Sequence, residues 1–135
     1  MLVVLGLVLY QYYHVERVRV DDDLNGTGDS VQLAYVAQRS GVWLETSGRI
    51  IRVLRDDNEG SRHQKFILEL DDGHSVLIAH NIDLAERIPV RQGQSVTLRG
   101  RYEWNDRGGV VHWTHHDPEG REQGGWIMVN GVRYE

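Results

Sequence analysis

The stretch "SVLIAHNIDLAERIPVRQGQSVTLRGRYEW", from Ser75 to Trp104, decides how this chain folds. Its first part is a short apolar run rich in β-formers, and its last part alternates strictly. Val96, Leu98, Gly100, Tyr102 and Trp104 fall on one face, the period-2 pattern of a half-buried strand. Between the two lies "IDLAERIPV", which reads as one or two helical turns capped by Asp83 and stopped near Pro89. A helix between two strands of an otherwise β-rich chain is a specific arrangement.

Working upstream, "RHQKFILEL" also alternates, with Gln64, Phe66, Leu68 and Leu70 on one face. "DDG" (Asp71 to Gly73) makes a tight turn into the next strand. "GVWLETSGRIIRVLRDD" is a long β-rich run, and Gly48 in its middle marks a bulge or a sharp bend. Before it, "SVQLAYVAQR" has helical spacing, with Asp29 as N-cap, Gln32 completing a capping box and Gly41 as the stop. Downstream, "NDRGG" turns into "VVHWTHH", and Asn130-Gly131 marks a small hairpin near the C-terminus.

The sequence therefore predicts strands near Val42–Leu54, Gln64–Leu70, Ser75–His80, Ser95–Trp104 and Val110–His115. It predicts helices near Ser30–Arg39 and, briefly, after Asp83. This order fits an all-β protein, a five-stranded Greek-key OB-like barrel with a short N-terminal helix and a C-terminal hairpin. A small open antiparallel sheet is the alternative the same strands allow.

The 135 residues suit one domain, and 40% hydrophobic with 26% charged residues is ordinary for a globular protein. The net charge of −5 removes the whole-chain basic footprint expected of a nucleic-acid binder. Without cysteine there is neither a disulfide nor a thiolate metal site, so any metal must take His, Asp or Glu.

Residues 1–20 stand apart. "MLVVLGLVLY" is an apolar run, followed by Tyr12, Tyr13, Arg17 and Arg19. It falls short of the ~20 residues that span a bilayer, and lacks a basic n-region and a cleavage site. One reading is an export or anchor segment whose true start lies upstream; the other is a buried first strand. The missing alternation and the acidic, glycine-containing linker at 21–29 favour the anchor, leaving 30–135 as the OB-like domain.

The motifs "GSRHQKFILEL", "VLIAHNIDLAERIPV", "GRYEWNDRGGVVHWTHHDP" and "GWIMVNGVRYE", in that order, resemble the bacterial family catalogued as domain of unknown function 3465. The resemblance spans Val31 to Tyr134. It implies a short protein with an N-terminal export or anchor segment, located in the bacterial cell envelope, and so supports the inner membrane as a partner. It implies no activity, substrate or catalytic residue.

In an OB barrel the third strand lies parallel to the fifth, so their C-terminal ends meet beside the start of the second. That topology gathers His63 and Gln64, His80, Asn81 and Asp83, and His115, His116 and Asp117 at one rim. On a strand His112 and His116 share a face but lie ~13 Å apart, too far to hold one ion without a bend, while His115 and Asp117 lie ~7 Å apart on the other face. His63, His80, His115, His116 and Asp117 are therefore metal-ligand candidates, suited to a divalent transition metal such as Zn or Mn, with Asp83 fixing a histidine tautomer. His63, His80, His112 and His116 are the acid–base candidates. Gln64, Asn81, Arg62 and Arg87 are the ligand-binding candidates, and Arg99, Arg101 and Lys65 read as exposed contributors.

Three functions compete. The first is an envelope binding module for a glycan, a peptide or a protein, with nucleic acid disfavoured by charge. The second is a metal- or histidine-dependent hydrolase of phosphodiesterase type. The third is a structural envelope domain whose histidines only form a hydrogen-bonded rim.

Overall fold

A computed structural model describes residues 28–135, with side chains from Ser30 onward. The expected anchor (1–20) and linker residues 21–27 lie outside that description. The helix already includes Gly28 and Asp29, so the linker ends earlier than expected and Asp29 falls within the first helical turn rather than at an N-cap before it.

Helix α1 (Gly28–Val36) leads into β1 (Val42–Val53), β2 (His63–Leu70), β3 (Ser75–Asn81), β4 (Ser95–Glu103), β5 (Val110–His112), β6 (Trp126–Val129) and β7 (Val132–Tyr134). The sheet runs β1-β2-β3-β5-β4-β6-β7, and β1 also pairs with β4. That extra pairing closes β1-β2-β3-β5-β4 into a five-stranded barrel. All pairs are antiparallel except β3–β5, where Leu77 stands opposite Val110 and Ile78 opposite Val111. This is the OB-like Greek key the sequence predicts, with β6–β7 as the C-terminal hairpin on β4.

The period-2 residues do what their pattern requires. Phe66, Leu68, Ile78, Leu98, Tyr102 and Val111 are fully buried and, with Leu44, Ile50 and Ile127, form the core. Gly48 is the corner of β1, paired with Leu70 of β2 and with Val96 of β4. A Cβ there would stand 2.4 Å from the Glu69 carbonyl oxygen and 2.9 Å from Leu68 Cγ, so only glycine lets the strands approach. The bulge itself comes three residues later, where the register shifts between Ile50 and Arg52.

Four expectations need correction. No helix follows Asp83. Asn81 Oδ1 accepts the Asp83 and Leu84 N–H groups at 2.9 and 3.2 Å, making a single turn, and Pro89 leaves too few residues for a stable helix. Ile88, 1% exposed, joins the core from this segment instead. The helix α1 stops before Gly41: Gln38, at φ 52°, ends it, with Arg39 N–H donating to Ala34 O and Gln38 N–H to Tyr35 O. Strand β5 ends at His112 because Trp113 turns left-handed at φ 54°. His115 and His116 are therefore loop residues. Arg99, expected to be exposed, is 5% exposed beneath Trp43 and the Gly124 carbonyl.

Candidate functional site

The start of β2 and the end of β3 meet as the topology requires, with His63 opposite Asn81 and Gln64 opposite His80. The loop after β5 returns to the same end, because Thr114 hydrogen-bonds His80. Three loops therefore share one rim: 54–62, 82–94 and 113–125.

His80 faces inward in the alternation of β3 and is fully buried. Its Nε2 lies 2.9 Å from the Glu86 carbonyl, which can only accept, so that nitrogen carries the proton. Nδ1 then accepts the Thr114 hydroxyl at 2.8 Å. Both nitrogens are spent on tying two loops to β3. Burial, reinforced by the neighbouring His115 and His63, pushes the His80 pKa down and keeps the ring neutral.

His63 and His115 share a different arrangement. His63 Nδ1 donates to Ser61 O at 2.8 Å, and His115 Nδ1 donates to His116 O at 2.7 Å. Each ring is thereby fixed with its Nε2 lone pair directed away from those carbonyls. His115 is 2% exposed and stacks on Trp113 at 5.7 Å. Burial, then the nearby His116 and His63, lower its pKa. His116 is exposed and lies edge-on to His115. His112 sits on the outer face of β5, 3.2 Å from Glu103 Oε1, and takes no part in the rim.

The rim carboxylates serve the backbone. Asp83 accepts from Arg62 N–H and Nε, both at 2.9 Å, and those contacts hold its pKa low. Asp117 accepts the N–H groups of Glu119, Arg121 and Glu122 at 2.9–3.0 Å, which lowers its pKa and fixes the loop. Arg87 pairs with Asp56, and Gln64 clamps Ile88. The expected ligand set of His63, His80, one of His115 and His116, and Asp117 does not fit a metal as it stands. Among the described residues no group of three or more His, Asp or Glu is placed to hold one.

What the sequence did not reveal is a groove of about 370 Å³ beside this rim, lined by Leu84, Arg101, Trp113, Pro118, Arg121 and Glu122 among others. Trp113 reaches its wall through a left-handed backbone that no residue pattern announces. Arg101 Nε is buried and lacks a hydrogen-bond partner, although Glu103 balances its charge at 3.5 Å.

The family model described as "Protein of unknown function (DUF3465)" matches residues 15–135. The chain belongs to the DUF3465 family. No curated protein matches this DUF3465 chain. Among solved structures it is similar to the hypothetical protein ygiW from E. coli, at 13% identity over 68% of this chain and 85% of that one, with a TM-score of 0.46. It is also similar to a chain of the S. pombe Stn1-ten1 complex, at 14% identity over 67% of this chain and 70% of that one, with a TM-score of 0.41.

Proposed function

We propose that this DUF3465 domain is a ligand-binding module of the bacterial envelope, carried there by residues 1–20, and that it takes its ligand at the barrel rim. The observation that supports this most is preorganisation. Three rim loops are fixed by side chains (Asp83 on Arg62, Gln64 on Ile88, His80 on Thr114 and Glu86, Asp117 on residues 119–122) around an open groove. Loops already ordered cost less to order on binding.

A hydrolase has less support. Thr114 and His80 form a hydroxyl–imidazole pair at 2.8 Å, but both residues are fully buried, so no substrate reaches it. A weaker second reading is a transition-metal site using His63 and His115. Its support is that both Nδ1 atoms donate to backbone carbonyls, the arrangement that orients Nε2 toward a metal. His116 or exogenous ligands would have to complete it.

The test is amide shift mapping of the labelled protein with one representative of each class: an oligosaccharide, a short peptide, Zn and Mn. Shifts confined to 82–90 and 113–122 are expected for a rim ligand. Shifts at His63 and His115 with Zn or Mn alone select the metal reading. If nothing perturbs these segments at millimolar concentrations, the rim is structural. Cell fractionation of the full chain, with and without charged substitutions in 1–13, tests the anchor.

A further inference from the structure

We propose that the groove beside Trp113 is a saccharide subsite, in which the indole carries a sugar ring while Arg101 and Glu122 bind its hydroxyls. This rests on the binding-module reading above and names its ligand class.

The first observation is conformational. Among the described residues, Trp113 is one of three non-glycine residues with positive φ, and the others are Gln38 and Asn130, types at home in turns. A bulky aromatic held there is strained, and glycine would relieve it. The strain does not serve the core, since Trp113 is only half-buried. It delivers the indole to the groove wall, with the His115 ring stacked at 26° as a backing plate.

The second observation is the polar complement. Arg101 lines the groove with a side chain that stays 42% exposed, while its enclosed Nε faces Glu103 at 3.5 Å. Asp117 is committed to three backbone N–H groups, and Glu119 to Arg121 at 3.2 Å. Glu122 is the exposed carboxylate of the groove that neither of these uses. Leu84 and Pro118 supply apolar surface.

The combination of an aromatic plate, a partly exposed guanidinium and an open carboxylate selects among ligands. A pyranose has an apolar face of C–H groups for the indole and a rim of hydroxyls that both accept and donate. A polyanionic nucleic acid would meet Asp117, Glu119 and Glu122 on a chain of net charge −5. A simple anion would leave the indole unused.

The test is calorimetry and tryptophan fluorescence of the full chain with chitotriose and maltotriose, using a trialanine peptide as comparison. At least one trisaccharide should bind with millimolar affinity or better. Trp113→Gly suits the backbone and removes the ring, and should weaken binding roughly tenfold or more, whereas Trp113→Phe should keep most of it. Arg101→Gln should weaken binding comparably without disturbing Trp113. Trp126→Phe, on β6, should change nothing. If the peptide binds in a Trp113-dependent way and neither sugar does, the saccharide class is wrong and the binding module stands. If none of the three binds, the subsite is wrong, and the metal arm of the rim experiment decides the module separately. Sugar binding unaffected by Trp113→Gly also overturns the subsite.

Discussion

The side-chain amide of Gln64 brackets the backbone of Ile88, accepting its N–H at 2.9 Å and donating to its carbonyl at 2.7 Å. Both residues are buried, so one polar side chain of β2 replaces a whole strand partner for the loop that plugs the barrel. Gln64→Leu keeps the volume and strands two buried backbone groups. We expect a loss of ~2–4 kcal/mol, read as a lower urea midpoint with an unchanged slope. A midpoint equal to wild type would mean water replaces the clamp.

Acid should weaken the fold near the histidine range, before the carboxylates matter. His80 and His115 both have folded pKa values lowered from 6.5. As pH falls through that unfolded value, the unfolded chain takes up protons that the native rim refuses, so stability falls until the lowered native values are passed. Asp56, Asp83 and Asp117 are lowered from 3.8, so their contribution is present above that pH and lost only below it. His80→Gln can still donate to Glu86 and accept from Thr114 without titrating. Denaturation between about pH 7.5 and about pH 5 should therefore be flatter in His80→Gln than in wild type.

Gly48→Val should be damaging, since Gly48 shares its face of β1 with the buried Leu44, Thr46 and Ile50. Its Cβ would meet the Glu69 carbonyl at 2.4 Å, against backbone that cannot rotate away. Overpacking of this kind costs ~1–3 kcal/mol or more, and the thermal midpoint should drop accordingly. Gly60→Val is the contrast in space only, since nothing lies within 4 Å of a Cβ there; its φ of 68° leaves backbone strain alone.

Removing residues 1–20 should leave a soluble domain with the melting temperature of the full chain. The buried core among the described residues draws on Val31 onward. A destabilised or aggregated fragment would make the N-terminal run a core element and end the anchor proposal.

The barrel was legible because its strands obey period 2 and its corner needs Gly48. Gln64 was legible as an inward residue from its phase with Phe66, Leu68 and Leu70. The segment after Asp83 misled because its apolar spacing fits a helix, whereas Asn81 and Pro89 bound it too tightly to form one. His63, His80 and His115 lie near one another at the rim, as the topology demands, while His112 turns outward to Glu103. Their roles did not follow from residue type, because whether His80 ligates an ion or staples two loops depends on a carbonyl and a hydroxyl placed by tertiary structure. "HWTHHDP" looked like a strand end until Trp113 left the sheet, a backbone choice invisible in the letters. Arg99 was misplaced because a later loop covers it.

The shared first strand also sets how the molecule must assemble in time. Its second half pairs with the neighbouring β2, but its first half waits for β4: Ser47 and Thr97, 50 residues apart, meet side chain to side chain at 2.9 Å. Contacts so distant along the chain repay their loop-closure entropy late, so closure of the β1–β4 seam should limit the folding rate. Until then Val42–Ser47 presents an unsatisfied edge with Trp43 and Leu44 on it, and a nascent chain is most open to mispairing with its neighbours during that interval.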